Sequence, residues 1–325
     1  MKRPLLALAP MADVTDPAFR RIIAKYSKCQ TPGCLTNNYV TWTEFVSADG
    51  LALAPEEGRK KLMADLIYSE SERPIVAQFF TSRPENMEKA AALARELGFD
   101  GVDINMGCPD KSIEKQGAGA AHIKDPARAL EVLAAAKQGA QHLPVSVKTR
   151  LGYNQDELEM WLPKLLSGKP AVVTIHARTR KEMSLVPARW ERVKRAVEIR
   201  NELQSDALIL GNGDVRSATD AMQKIAETGA DGAMLGRAIF GNPWLFNESA
   251  HPPALEERLQ VMVEHTKLFQ ELLPHKSFAI MKKHYKAYVT GFDGAAELRA
   301  ELMNAPDALT VGAVVLKFLS ERRPA

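Results

Sequence analysis

Short runs of β-branched residues alternate with segments of helical periodicity over most of the 325-residue chain. The unit repeats eight times at about 30 residues each, which predicts a (β/α)8 TIM barrel of class α/β. A doubly wound parallel sheet is the alternative, because it uses the same strand–helix units. The eight predicted strands are 5–9, 39–46, 74–80, 101–105, 144–148, 171–176, 207–211 and 232–236.

Polar or special residues stand at the ends of almost all the predicted strands. In a TIM barrel the functional residues gather at the carboxyl ends of the strands, so this placement favours the barrel over the open sheet. The strand-end residues are Pro10, Met11, Gln78, Asn105, Lys148, His176, Asn212 and Gly236.

The pattern changes after Phe246, where the strand signal stops. His251-Pro252-Pro253 reads as a linker. Four helical stretches follow, which predicts a barrel domain at 1–246 and a small helical-bundle domain at 254–325. The predicted helices are 254–273, 276–290, 294–304 and 307–321.

Charge, hydropathy and cysteine content argue against membrane-spanning, disulfide-rich and metal-binding proteins. Lys and Arg number 43 against 40 Asp and Glu, so the net charge of the whole chain does not by itself point to a nucleic-acid partner, nor does it exclude one. No apolar run is long enough to span a membrane. Three cysteines, Cys29, Cys34 and Cys108, are too few for a disulfide framework, and no pattern of metal ligands accompanies them. A cytoplasmic protein without a metal is expected.

Asn105-Met106-Gly107-Cys108-Pro109 directly follows the fourth predicted strand. Gly and Pro around the cysteine predict a fixed turn that holds one thiol toward a pocket; a buried structural cysteine is the alternative. At neutral pH an ordinary cysteine is mostly protonated, so Cys108 can donate a proton as readily as act as a nucleophile.

Glycine-rich turns follow the seventh and eighth strands, at Gly211-Asn212-Gly213-Asp214 and Gly236-Arg237. These two loops of a TIM barrel frequently bind phosphate, and the positions predict a phosphate site. No GxGxxG follows a strand and no P-loop is present, which argues against a Rossmann dehydrogenase or an NTPase. Candidate ligand-binding residues at the ends of strands five and six are Lys148, Arg150, His176, Arg178 and Arg180.

The helical tail contains a basic stretch with no acidic residue between Leu272 and Phe292. Cations interleaved with aromatic side chains are typical of RNA contacts, although a solvated helix face gives the same pattern. The residues concerned are Lys276, Lys282, Lys283, His284, Tyr285, Lys286 and Tyr288.

Several stretches, in this order along nearly the whole chain, resemble the tRNA-dihydrouridine synthase family. The stretches are Ala9-Pro10-Met11-Ala12-Asp13-Val14-Thr15-Asp16, Thr43-Glu44-Phe45-Val46-Ser47-Ala48, Asp103-Ile104-Asn105-Met106-Gly107-Cys108-Pro109, His176-Ala177-Arg178-Thr179-Arg180, Gly211-Asn212-Gly213-Asp214, Gly236-Arg237-Ala238, Lys283-His284 and Gly294-Ala295-Ala296-Glu297-Leu298-Arg299.

The resemblance implies a tightly bound flavin mononucleotide (FMN), with NADPH as a transient reductant and tRNA as substrate. It implies reduction of the C5–C6 double bond of uridine, with hydride from FMN to C6 and a proton from Cys108 to C5. Implied cofactor-binding residues are Pro10, Met11, Ala12, Gln78, Lys148, His176, Asn212, Gly213, Asp214, Gly236 and Arg237. Implied substrate-binding residues are Asn105, Arg178, Arg180, Lys282, Lys283 and His284.

Three other functions fit parts of the pattern. A flavin barrel reductase of a free pyrimidine or small enone would not need the basic tail. A phosphate-binding aldolase or isomerase could use Lys148 but leaves Cys108 unexplained. An RNA-binding protein with an inactive barrel would not need Cys108, Lys148 and Asn212.

The chain departs from the family at Ser184-Leu185-Val186-Pro187 and in the long segment 26–42. A monomer is expected.

Overall fold

The computed structural model describes residues 4–28, 39–247 and 253–322. Cys29, Cys34 and most of the 26–42 segment, like most of the predicted linker at 251–253, lie outside these residues. The eight strands of the described chain are β1 Leu5–Leu8, β2 Thr41–Ser47, β3 Ile75–Phe80, β4 Gly101–Met106, β5 Val145–Arg150, β6 Val172–His176, β7 Leu208–Asn212 and β8 Gly232–Leu235.

All strand pairs are parallel, in the order β1-β8-β7-β6-β5-β4-β3-β2. The two ends of this sheet meet at Val40, just before β2. The backbone N–H of Leu8 donates to Val40 O at 2.9 Å, and Val40 N donates to Leu6 O at 2.9 Å. The strands therefore close into a ring, which confirms the TIM-barrel prediction and excludes the doubly wound sheet.

Helices follow most of the strands, and four more succeed β8. In the described residues they are α1 Pro17–Ser27, α2 Ala48–Leu53, α3 Glu56–Asp65, α4 Pro84–Glu96, α5 Lys111–Glu114, α6 Pro126–Ala140, α7 Leu158–Ser167, α8 Trp190–Glu202, α9 Ala218–Thr228, α10 Leu255–Leu272, α11 Met281–Tyr288, α12 Ala295–Asn304 and α13 Ala308–Glu321. None of the described helices is both long and apolar enough to cross a membrane.

Helix starts follow the capping chemistry of the sequence. Asp16 Oδ1 accepts a hydrogen bond from Phe19 N at 2.9 Å, with Pro17 at the first helical position of α1. Asp125 caps α6 in the same way, through the N–H of Arg128.

Two helices, α2 and α3, are absent from the prediction made from the sequence. No residue of α3 is buried, so this helix has no apolar stripe that a periodicity search could detect.

The chain forms two compact units. The first comprises the described residues of 4–12, 39–66 and 73–237. The second comprises those of 13–28, 67–72 and 238–322, so that it contains α1 as well as the four C-terminal helices. Because three chain segments build the second unit, the assignment of separate functions to 1–246 and 254–325 stays a prediction.

Within the second unit, α1 packs against α10. Glu264 Oε1 accepts from Lys25 Nζ at 2.7 Å and Glu264 Oε2 accepts from Tyr26 Oη at 2.8 Å. A buried ion pair joins α1 to residues 67–72, with Arg20 Nε 2.8 Å from Glu72 Oε2. The sequence places these partners far apart, and only the packed helices bring them together.

Candidate active site

A cavity of about 320 Å³ opens at the carboxyl ends of the barrel strands. Most of the residues singled out from the sequence line it together, although they come from six different strand ends. Those lining residues are Pro10, Met11, Asn105, Cys108, Lys148, Arg150, His176, Arg178, Asn212, Gly213, Asp214, Gly236 and Arg237. The predicted site residues that do not line it are Ala12, Gln78, Arg180, Lys282, Lys283 and His284.

The side chain of Asn105 fixes the loop that carries Cys108. Asn105 Oδ1 accepts hydrogen bonds from the backbone N–H groups of Gly107, at 3.2 Å, and Cys108, at 2.9 Å. Its Nδ2 donates to Gln78 Oε1 at 3.0 Å. Asn105 therefore positions the loop, and its predicted contact with a substrate stays a prediction.

Behind Asn105, Gln78 is fully buried next to Asp103, its neighbour in register on β4. Gln78 Nε2 donates to Asp103 Oδ2 at 2.5 Å, and Ser146 Oγ donates to the other carboxyl oxygen. Burial raises the pKa of Asp103 to about 6. Asp103 is not among the predicted site residues, although it lies two residues before Asn105 on the same face of one strand.

The Cys108 thiol lies in the wall of the cavity. Burial is the main effect, and it raises the pKa of the thiol. A hydrogen bond from the Asp110 N–H and the positive charges of Lys148 and Arg150 lower the pKa by less, and the negative charge of Asp110 raises it. A raised pKa keeps the thiol protonated at neutral pH, which suits a proton donor and disfavours a nucleophilic thiolate.

Arg150, the last residue of β5, joins two loops at the cavity. Its Nε donates to Gly107 O at 2.8 Å, beside Cys108, and its Nη1 donates to Thr179 O and Met183 O, both at 3.1 Å. Burial lowers the pKa of Arg150 to about 10, so it stays charged at neutral pH. Arg150 thus lies at the predicted site, but its bond to the Cys108 loop joins residues 43 positions apart and is not evident from the sequence.

Lys148 stands next to Asn105 in register and turns its ammonium group into the cavity. It makes no ion pair or hydrogen bond with another side chain of the described chain. Burial lowers its pKa to about 8, with a further contribution from the charge of Arg150. The negative charge of the buried Asp103 opposes this shift, so Lys148 feels a nearby carboxylate although it forms no ion pair with it.

His176 and Arg178 form a second cluster with Asp214. Burial lowers the pKa of His176 well below its usual value, and the charges of Arg150 and Lys148 lower it further. Arg178 Nη1 lies 3.1 Å from His176 Nε2. Because a guanidinium can only donate, Nε2 accepts and the ring proton belongs on Nδ1. His176 is therefore neutral at pH 7, with its ring proton on Nδ1.

Asp214, in the loop after β7, connects the loops after β6 and β8. Its carboxylate pairs with Arg178 Nη2 at 2.5 Å and with Arg237 Nη2 at 2.6 Å. The adjacent Gly213 has a φ of 119°, and a Cβ there would lie 2.9 Å from Ala188 Cβ and 3.1 Å from His176 Cδ2. Glycine is required at this position because both the backbone angle and the space exclude a side chain.

Arg180 lies at the rim, outside the cavity lining. Its Nε donates to Glu114 Oε1 at 2.6 Å, and its guanidinium carbon lies 5.1 Å from the ring centre of Tyr153. Arg180 is partly exposed, and its predicted contact with substrate stays a prediction.

Helix α11 presents its lysines and its aromatic residues on opposite faces. Lys282 is exposed and Lys283 is half-buried. His284 has no exposed surface and packs between Phe19 and His265, at ring distances of 4.9 and 4.6 Å. The prediction that His284 contacts substrate is therefore wrong for this structure. The same correction applies to stacking by Tyr285 and Tyr288, which are also buried.

Residues 7–321 match the sequence model of the family described as dihydrouridine synthase. The chain belongs to the dihydrouridine synthase family. A "probable tRNA-dihydrouridine synthase 2" of Bacillus subtilis (strain 168) is 36% identical over 321 residues, which cover 98% of this chain and 95% of the relative. A "probable tRNA-dihydrouridine synthase" of Staphylococcus aureus (strain MRSA252) is 35% identical over 98% of this chain and 94% of its own length.

Solved structures support the fold of this dihydrouridine synthase family member. Histamine dehydrogenase from Rhizobium sp. 4-9 superposes with a TM-score of 0.53 at 11% identity, covering 98% of this chain and 62% of that chain. Morphinone reductase in complex with tetrahydroNAD gives a TM-score of 0.50 at 12% identity, covering 76% and 87%. At these identities the likeness concerns the barrel fold. Family membership makes the chain an oxidoreductase.

Proposed function

We propose that this protein reduces the C5–C6 double bond of specific uridines in tRNA to give dihydrouridine, with FMN as bound cofactor and NADPH as reductant. The observation that carries the proposal is the Cys108 thiol, kept protonated by burial and fixed by Asn105 in the wall of a cationic cavity. The relatives are named as tRNA-dihydrouridine synthases, and these names support tRNA as the substrate.

The cavity suits a flavin. Its volume of about 320 Å³ lies within the roughly 300–1,000 Å³ usual for small-molecule sites. The unpaired Lys148 ammonium offers a positive charge to an electron-rich ring edge, and Gly213 lets the backbone approach a ligand closely. Phosphate binding at the loops after strands seven and eight is common in this fold.

Residues at the ends of five strands, β1, β5, β6, β7 and β8, would hold the cofactor. Pro10, Met11 and Ala12 would meet the ring, with Lys148 and His176 at its polar edge. Gln78 is buried behind Asn105 and would act at that edge only through a rearranged side chain. When bound, FMN supplies hydride transfer to C6. The phosphate would lie on Asn212, Gly213, Asp214, Gly236 and Arg237.

Cys108 supplies the proton that completes the reduction at C5. Its raised pKa keeps the Sγ–H bond intact until the base gains electron density, and this timing is what general acid catalysis requires. Arg150 and Asn105 hold the loop from two sides, so that the thiol does not turn away from the cavity. Arg178, bound to Asp214, is the residue proposed to meet the nucleotide.

A uridine reaches such a cavity only when it leaves the RNA stack, because the thiol lies inside a walled pocket. The exposed Lys282 and the half-buried Lys283 of the second unit would contact the tRNA backbone. A cytoplasmic location fits an enzyme that acts on tRNA.

The test is reduction of unmodified tRNA by the purified, FMN-loaded enzyme and NADPH under anaerobic conditions, with dihydrouridine measured by nucleoside mass spectrometry. Dihydrouridine formed in tRNA supports the proposal. Bleaching of the flavin by NADPH, with reduction of free uridine or a small enone and none of tRNA, would instead favour a small-molecule reductase.

A further inference from the structure

A row of three polar side chains crosses the interior of the barrel. Gln78 of β3, Asp103 of β4 and Ser146 of β5 are neighbours in register, and all three are buried. The interior of a TIM barrel is ordinarily filled by bulky branched side chains, and burying polar groups there costs free energy unless they are hydrogen-bonded. A row of this composition is therefore not explained by packing alone.

The row lies directly beneath two residues of the cavity. Asn105 follows Asp103 by two positions on β4, and Lys148 follows Ser146 by two positions on β5, so the members of each pair point to the same face. Asn105 and Lys148 are themselves in register and line the cavity, whereas Asp103 does not line it. The Asp103 carboxylate therefore acts on the cavity through its neighbours.

The Asp103 carboxylate fixes the direction of a chain of two amides. An ionised carboxylate only accepts hydrogen bonds, so Gln78 has to present Nε2 to it, at 2.5 Å. At the other end of the chain, the backbone N–H groups of Gly107 and Cys108 only donate, so Asn105 has to present Oδ1 to them. Asn105 Nδ2 then meets Gln78 Oε1, at 3.0 Å. Reversing either amide would bring two donors or two acceptors together.

The Asp103 carboxylate also brings negative charge to a cationic site. The titratable groups that interact electrostatically with Lys148 are Asp103 on β4, Cys108 on the following loop, Arg150 on β5 and His176 on β6. The thiol is protonated, the imidazole neutral and the guanidinium positive at pH 7. The pKa of Asp103, about 6, leaves its carboxyl mostly ionised at pH 7, so this group favours the charged form of Lys148. The Asp214 carboxylate in the cavity lining is instead paired with two arginines.

We propose that Asp103 is a positioning residue of the cavity. Its carboxylate sets the direction of the amides of Gln78 and Asn105, and through them the loop of Cys108. The same carboxylate supplies the negative charge beside Lys148. The inference rests on the proposed function, in which Cys108 is the proton donor and Lys148 holds the cofactor.

The charge of Lys148 can be measured without cofactor or tRNA. Acetic anhydride in trace amount reacts with a lysine through its uncharged amine, so the rate of labelling against pH gives the midpoint of its titration. The full-length protein, freed of any flavin, is labelled and its peptides are quantified by mass spectrometry, with the exposed Lys164 of α7 as reference in the same digest. In the wild type the midpoint of Lys148 is expected near 8.

Asp103→Asn removes the negative charge and keeps the size of the side chain. The midpoint of Lys148 should fall by about one pH unit, because loss of a neighbouring opposite charge lowers the pKa of an ammonium group. Ser146→Ala is the matched control, since it removes a hydrogen bond to the same carboxylate and no charge, and its midpoint should stay near 8. Asp103→Ser combined with Ser146→Asp returns a carboxylate to the row and should restore the midpoint that Asp103→Ser alone lowers.

The direction of the amide chain has a readout of its own. Asp103→Asn offers both a donor and an acceptor to Gln78, so the amide of Asn105 is no longer held in one orientation. In the FMN-loaded variant, kcat on tRNA should fall roughly 10-fold to 10²-fold with an unchanged KM for tRNA, because a misplaced proton donor slows the chemical step.

A lowered midpoint and a reduced kcat in Asp103→Asn, with a wild-type midpoint in Ser146→Ala, support the inference. An unchanged midpoint or an unchanged kcat in Asp103→Asn would overturn it. A wild-type midpoint below pH 7 would overturn it as well, and this result needs no variant to fold. Failure of the wild-type enzyme to modify any tRNA would refute the proposed function, while the labelling curves would still decide whether Asp103 sets the charge of Lys148.

Discussion

Asn105 Oδ1 accepts a hydrogen bond from Cys108 N at 2.9 Å, and the same oxygen accepts from Gly107 N. One side chain thus fixes the backbone on which the proposed proton donor stands. Since Asn105 Nδ2 is held by Gln78, the amide cannot turn without breaking bonds on both sides. The loop after β4 is therefore positioned from inside the barrel.

Replacement of Asn105 by Ala tests this positioning role. Asn105→Ala leaves two backbone N–H groups and Gln78 Oε1 without a partner, so we expect a loss of about 1–3 kcal/mol of stability. Turnover on tRNA should fall roughly 10²-fold or more, because general acid catalysis depends on placement of the acid. Urea unfolding and steady-state kinetics measure the two effects. Normal turnover with unchanged stability would contradict the role.

Removal of the thiol tests the proton donor directly. Cys108→Ala should keep FMN, because the thiol contributes no charge to the cavity, and should lose about 10²–10⁴-fold in turnover on tRNA. Flavin absorbance and dihydrouridine formation are measured on the same preparation, with Cys108→Ser as the isosteric control. Wild-type turnover in Cys108→Ala would assign the proton to another group.

Flavin affinity should depend on pH through Lys148. Its pKa is lowered to about 8 by burial, so the charged form prevails below that pH and is lost above it. We expect FMN to bind more weakly as pH rises through about 8 in the wild type. In Lys148→Met the affinity should be low and nearly independent of pH over this range. Fluorescence titration with FMN across this pH range measures both, and a pH-dependent Lys148→Met would contradict the assignment.

The tail lysines give a separate test of RNA binding. Lys282→Glu with Lys283→Glu should raise the KM for tRNA and leave NADPH oxidation by the flavin unchanged, because both residues lie on the second unit. Lys267→Glu with Lys317→Glu changes the same charge on exposed lysines of α10 and α13 and is the control. Equal effects in the two pairs would indicate general charge attraction only.

The buried histidines of the second unit should make folding sensitive to acid. His265 stacks on Phe19 at 4.6 Å and has no hydrogen-bond partner on either ring nitrogen within the described chain. Burial lowers the pKa of His265 well below its usual value and that of His284 to about 3. The unfolded chain takes up these protons below pH about 6.5, while the folded chain does not, so stability falls as the pH drops below that value.

His265→Phe removes one of these sites and keeps an aromatic ring. Relative to the wild type, its free energy of unfolding should improve by up to about 1.4 kcal/mol for each pH unit between about pH 6 and 4. Urea unfolding at several pH values measures this difference. A difference that stays constant with pH would show that His265 titrates in the folded protein as it does in the unfolded chain.

The succession of strands and helices along the chain and the start of several helices could be predicted from the sequence, because both depend on local chemistry. Asp16-Pro17 and Asp125-Pro126 cap their helices through bonds within three residues. The burial of His284 was also predictable, because Met281, His284, Tyr285 and Tyr288 recur at helical spacing and form one face. The interleaved lysines favoured the opposite interpretation.

The sequence by itself determined the alternation of strands and helices and the set of strand-end residues, since both are properties of consecutive residues. Only the tertiary structure decided which of those residues form hydrogen bonds and ion pairs with one another. Arg150 reaches Gly107, and Asp214 joins Arg178 to Arg237, only after eight strands close into a ring. Hydrogen bonds between distant segments depend on register and closure, which a pattern of residue types does not specify.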